Sequence, residues 1–272
     1  MSGDLMTAGR PRTTRPLRVG GSGPWALVPD LARIHAVRIL RHPVFLLGLL
    51  WYLLALFVNA PSKPYDQYTM LTALPVFLVG IPVFVAVNLV ATSSRRAGVD
   101  DWTGGLPLPA LHRTAAPLVA SAAPAVVVAA IDAMAYVSFD GSVDIDVLRT
   151  QLACVPVAVL GAGLLGVAVA RLLPWPGAPL AVAVGLVAAN YWVSGPRPYL
   201  GAYCDFVVWS KNDVIPARVP GSSSWHLTYL VALCGLAAAG ALLPVARRRW
   251  LPFAAGAGLG VAALVAGALQ LP

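Results

Sequence analysis

The 272-residue chain has no glutamate: all eleven of its acids are Asp, and only 11% of its residues are charged. A soluble domain is about one quarter charged, so little of this surface is built for water. Cysteine is nearly as scarce. Cys154, Cys204 and Cys234 lack metal-ligand spacing. Cys154 and Cys234 fall in apolar stretches and read as small packing residues, while Cys204 stands in a loop with no loop partner. The phosphate loop G-x-x-x-x-G-K-[ST] is missing, which excludes ATP hydrolysis by that route. H-E-x-x-H, paired histidines and a nucleophile elbow are missing too, and His35, His42, His112 and His226 read as solvated or interfacial side chains. The chain therefore reads as one with no catalysis and no bound metal of its own.

What remains is apolar. The chain is 58% hydrophobic with a mean hydropathy of +0.76, and it holds several runs near the roughly 20 residues that cross a bilayer. The net charge of +8 does not point to nucleic acid, because the basic residues form no patch interleaved with aromatics. They sit at the ends of apolar segments, as in membrane proteins. The fold class is all-α: a polytopic membrane bundle with a six-span core, a seventh C-terminal span and an N-terminal interface helix.

Residues 1–28 are rich in Gly, Pro, Thr and Arg and read as a disordered cytoplasmic tail, with Arg10, Arg12, Arg15 and Arg18 near anionic lipid. A single transmembrane domain covers 29–272. It opens with Pro29 and Asp30, which suit a helix start. Next, Leu31, Ile34, Val37 and Leu40 recur at helical spacing while Arg33, Arg38 and Arg41 take other positions, the pattern of a basic amphipathic helix in the membrane interface. Apolar segments follow at Val44–Val58, Leu71–Val90, Ala115–Val137, Leu152–Leu172, Pro179–Val193, Trp225–Val245 and Leu251–Leu271. The fifth is short and runs into a proline-rich loop, so it reads as partly broken or re-entrant. Gly161, Gly163 and Gly166 match G-x-G-x-x-G, but inside an apolar span they read as close helix packing, as do Gly256, Gly258 and Gly260.

Orientation follows from the basic residues. With the N-terminus inside, the cytoplasmic side holds the tail arginines, Arg33, Arg38, Arg41, Arg95, Arg96, Arg113, Arg171 and Arg247 to Arg249. The other side holds only Lys63, Arg149, Arg197, Lys211 and Arg218. The external connector 194–224 gathers Tyr199, Tyr203 and Trp209, and reads as interfacial or re-entrant. Asp140, Asp144 and Asp146 read as a solvated acidic loop rather than a cation site.

Two places hold polar groups that need an account. Asp132 lies inside the third apolar segment, nearer its outer end. A carboxyl there marks a water-lined route, a side chain that snorkels to the outer interface, or a helix–helix contact; Asn88 and Asn190 are weaker cases of the same kind. The second place is the cytoplasmic loop 93–114. Ser93 and Ser94 can cap a short helix near Arg95, and Arg95 and Arg96 face Asp100 and Asp101 at helical spacing. Gly98, Gly104, Gly105, Pro107 and Pro109 keep that helix short, and Trp102 belongs at headgroup level.

Three features in this order resemble the permease subunits of type-2 ATP-binding-cassette exporters, in their actinobacterial branch. These are the basic helix Leu31–Arg41, the run from Arg95-Arg96 through Asp100-Asp101-Trp102 to Leu106-Pro107 and His112-Arg113, and the external connector before the last core helix. The resemblance covers roughly residues 30–246, and a six-span core is the family norm. It implies that the 93–114 loop carries a coupling helix, with Arg95, Arg96, Asp100, Asp101 and Trp102 docking on a separate cytoplasmic ATPase. That partner holds the ATP and Mg. It further implies pairing with a second permease, as homodimer or heterodimer, in a bacterial plasma membrane. Two other classes fit the composition: a non-transporting membrane scaffold or immunity protein, and a lipid-modifying membrane enzyme built on Asp132, Asn88 and Asn190.

Overall fold

Proline decides where the helices of this chain begin and bend. The computed structural model describes residues 24–58, 64–97, 109–139, 145–194 and 222–270. A 3-10 turn, Pro24–Leu27, leads into α1 (Val28–Leu40), with Pro29 in the first turn where a missing N–H costs nothing. Pro43 opens α2 (Pro43–Val58), and the chain bends by 58° between the two. Next comes one rod made of α3 (Pro64–Pro75), a π-helical turn (Val76–Gly80) and α4 (Ile81–Ala91). Pro75 and Pro82 flank its wide turn, since neither can donate the bond that a regular helix needs.

A single turn, α5 (Ser93–Arg96), follows. Then α6 (Ala110–Ala120) and α7 (Ala122–Ser138) meet at Ser121, between Pro117 and Pro124. The chain continues with α8 (Ile145–Leu172), α9 (Ala178–Ser194), α10 (Ser223–Leu242) and α11 (Trp250–Leu269).

Five stretches are long and apolar enough to cross a bilayer: Met70–Ala91, Ala110–Ser138, Leu152–Leu172, Ser223–Leu242 and Trp250–Leu269. The bent pair α1–α2 adds a sixth when taken as one span. The fold is thus a polytopic helical bundle of the membrane kind. All seven expected segments are helical, with two qualifications. Val44–Val58 is the second limb of a bent pair, and the fifth segment is a shorter apolar helix, Ala178–Ala189. The last segment has full spanning length.

Each helix shows one face to the bundle and leaves another apolar face outside. On α2, Phe45, Gly48, Tyr52 and Leu56 are buried at helical spacing, while Leu47, Leu50, Trp51, Leu54 and Phe57 are exposed. Such a continuous apolar face is a liability in water and the correct face for lipid. The long α8 is central: α4 crosses it, α7 lies beside it, and α10 runs along it with α11 on α10's far side.

Small residues set how closely α8 approaches its neighbours. A Cβ on Gly166 would stand 2.6 Å from the Phe84 carbonyl oxygen, and one on Gly163 would stand 2.8 Å from Ser121 Cβ. These glycines are contact points between helices, as small residues are in membranes. Gly258 and Gly260 on α11 depart from that expectation, because a Cβ on either would meet nothing within 4 Å. The reason is that α11 packs by one edge only, through Ala263, Ala266 and Gly267.

Gly166→Ala is expected to destabilise the bundle by about 1–3 kcal/mol, the range for an overpacked core. Gly258→Ala, at an open position, is expected to be near neutral. Thermal unfolding of both variants in the same detergent checks the contrast.

Candidate functional site

Among the described residues, the basic ones assigned to one side of the membrane gather at one end of the bundle; the tail arginines lie outside the described residues. α1 packs along α6 and touches α4, and the Trp25 ring lies 4.2 Å from the His112 ring at the start of α6. At the end of α8, Arg171 is near enough to act electrostatically on His35 of α1. The end of α10 meets the end of α8, where Gly240 faces Leu172. Arg33, Arg38, Arg41, Arg96 and Arg247 to Arg249 are exposed there, and Arg113 and Arg171 are half-buried. Trp25, Trp175 and Trp250 are exposed at the same end, in the manner of a headgroup belt.

On α1 the buried residues are Val28, Ala32 and Ile39, whereas Ile34 and Val37 are exposed. The apolar positions read as one membrane-facing stripe therefore have two duties. Part of the helix seats on α6, and Ile34 and Val37 stay outward among Arg33, Arg38 and Arg41.

The expected coupling residues are only partly within the described residues. Arg95 and Arg96 do form a helical turn, α5, just past α4, and Arg96 is exposed. Asp100, Asp101 and Trp102 lie outside the described residues, so the Arg–Asp pairing lies there too. The capping role expected of Ser93 is not what the structure shows. Ser93 Oγ donates to the Val90 carbonyl at 2.8 Å, and Thr92 Oγ1 donates to that of Asn88 at 2.8 Å. Both hydroxyls serve carbonyls in the last turn of α4, where that of Asn88 also accepts from the Thr92 amide at 3.0 Å.

Asp132 is 3% exposed, and one of its oxygens accepts a hydrogen bond from the Tyr52 hydroxyl. Tyr52 comes from the buried face of α2, so the pair ties α2 to α7. The other oxygen, Oδ2, is fully enclosed and has no partner among the described residues. A snorkelling role for Asp132 is thereby ruled out in favour of an interhelical contact. Asn88 is also buried, and its Nδ2 donates to the Gly166 carbonyl at 3.1 Å. That bond is possible because Gly166 has no side chain to hold α4 away. Asn190 lies on α9, its side chain outside the described residues. Asp132 and Asn88 answer to different helices, Tyr52 of α2 and Gly166 of α8, and share no bond.

Two histidines read as solvated or interfacial are buried instead. His112 is 6% exposed beneath Trp25. His226 is 1% exposed, with Nδ1 2.8 Å from Gln270 Oε1. The Ser222 amide adds a bond to the Gln270 carbonyl at 3.3 Å, so the start of α10 is pinned to the end of α11. Sequence reading missed Tyr52 and Gln270. Each carries a polar group within or beside an apolar run, which is the signal that a partner helix must supply its bond.

Tyr52→Phe is expected to destabilise the bundle by about 1–3 kcal/mol, since it strips the one donor from a buried acceptor. Adding Asp132→Ala to Tyr52→Phe is expected to cost clearly less than the sum of the single effects. Denaturant unfolding of the cycle in detergent measures that coupling.

Comparison with protein-family models, with curated proteins and with solved structures finds no match to this chain.

Proposed function

We propose that the protein is the permease subunit of an ATP-binding-cassette exporter, moved by a separate ATPase that docks at the basic end of the bundle. The observation that supports this reading best is the convergence of three elements at that end: the basic helix α1, the isolated turn α5 and the start of α6. A positive, tryptophan-fringed end is the cytoplasmic end of a membrane protein, which puts α5 where a soluble partner has access. On this reading the N-terminus is inside and the Ser222–Gln270 junction outside.

The packing supports a mechanical role for α5. It follows directly on α4, which is joined to the central helix by the Asn88–Gly166 bond and the close approach at Gly166. On the other side of the loop, α6 is seated against α1. A displacement of α5 therefore has short routes into α8 and into the interface helix. The motor is the partner's: ATP shifts the equilibrium to the extent that the closed ATPase binds one permease conformation better than the other. ATP and Mg belong to that partner, and the permease works as a pair with a second copy or a related subunit.

Reversing Arg95 and Arg96 to Glu together is expected to cut stimulation of the partner ATPase at least about tenfold, equivalent to about 1.4 kcal/mol of coupling, with the permease inserted normally. Purification from intact membranes and reconstitution with the recovered ATPase provide the measurement. A cysteine at position 95 is expected to be labelled only from the cytoplasm. Labelling from outside, or recovery of no nucleotide-binding partner, defeats the proposal and favours the scaffold reading.

A further inference from the structure

We propose that Asp132, closed off by Tyr52, is a proton-binding site inside the bundle. Such a site needs no ATPase partner. Asp132 belongs to the Ala110–Ser138 span and is nine-tenths or more buried. Its Oδ1 accepts from Tyr52, and its Oδ2 is enclosed without a partner. A carboxylate held there has no counter-charge among the described residues, because Tyr52 is the only side chain that acts on it.

The described side chains of the elements packed around the pair offer none either; those of Asp66 on α3 and of Asp146 and Arg149 on α8 lie outside the described residues. Among the described side chains, the π turn and α4 have no titratable group, α7 adds Tyr136, and α8 has Cys154 and, at its far end, Arg171. α1 has Arg33, His35 and Arg38, and α6 has His112 and Arg113, all at the basic end. An uncompensated carboxylate in such surroundings is heavily disfavoured.

The enclosure of Oδ2 also selects the ligand. No water-sized sphere reaches that oxygen, so a hydrated cation or an ammonium group has no room, whereas a proton needs none. With the proton on Oδ2, the carbonyl oxygen Oδ1 keeps its bond from Tyr52 and the site is neutral. Release requires α2 and α7 to part: the proton passes to water and leaves a hydrated carboxylate. Any conformational step that opens this seam is thereby linked to proton exchange.

Infrared spectroscopy of the protein in lipid vesicles, at about pH 8 where exposed carboxyls are ionised, tests the proposal. The expected result is a protonated-carboxyl stretch that shifts in heavy water and with carbon-13 aspartate labelling. It disappears in Asp132→Asn, and in Tyr52→Phe it moves to higher frequency without loss of intensity. Should Asp132→Asn fail to fold, labelling combined with Tyr52→Phe still identifies the group. Absence of the band from the wild type overturns the proposal, and so does a band that Tyr52→Phe leaves unmoved.

Discussion

Hydrocarbon supplies no hydrogen bonds, and that constraint governs the whole molecule. Each peptide group in a span must find its partner within its own helix, so every break in a helix has to be repaired locally. The chain tolerates many prolines because their effects are confined to a few places. In the described helices they stand at helix starts, around the π turn, at Pro156 inside α8, and at the Ser121 break, where Ser121 Oγ donates to the Pro117 carbonyl at 2.9 Å. The hydroxyls of Thr92 and Ser93 do the same for the end of α4.

The same constraint explains how so few polar side chains organise the bundle. Because helices in lipid gain little by hiding apolar area from one another, position has to come from close packing and from a handful of specific bonds. Among the described residues such bonds are spread over the structure, and Cys234 Sγ of α10 adds one to the Val157 carbonyl of α8 at 3.4 Å. Tyr52 to Asp132 joins α2 and α7, Asn88 to Gly166 joins α4 and α8, and His226 with Gln270 joins α10 and α11. Each lies in a different pair of helices, so together they fix the arrangement with little redundancy.

Composition and apolar runs made the class and the helix positions legible, because the bilayer's demand for length and hydropathy acts on the sequence locally. The glycines of α8 were legible for a related reason: a small residue in a span has few uses besides close approach. The side-chain partners were not legible. Nothing in the run around Tyr52 points to Asp132, eighty positions on, and the burial of His112 and His226 depends on Trp25 and on α11 folding over them. On α1 the helical spacing picks out Ile34 and Val37, which are exposed, but not the buried Val28, Ala32 and Ile39, because spacing tells which residues share a side, not which neighbour covers it. Of the 93–114 loop, the described residues are the turn at Arg95 and Arg96 and the start of α6 with His112 and Arg113.

The π turn at Val76–Gly80 has a consequence for the rod that contains it. A π turn accommodates one residue more than an α turn, and each residue of a helix advances the side chains by about 100°. It therefore works as a phase adjuster between two halves of a single span. Below it, Leu71 packs with Tyr136, Phe139 and Leu152; above it, Asn88 points at the Gly166 carbonyl. Smoothing the turn into regular helix would swing Asn88 about a quarter-circle away from its acceptor, so the irregularity is what lets one rod satisfy two differently placed neighbours.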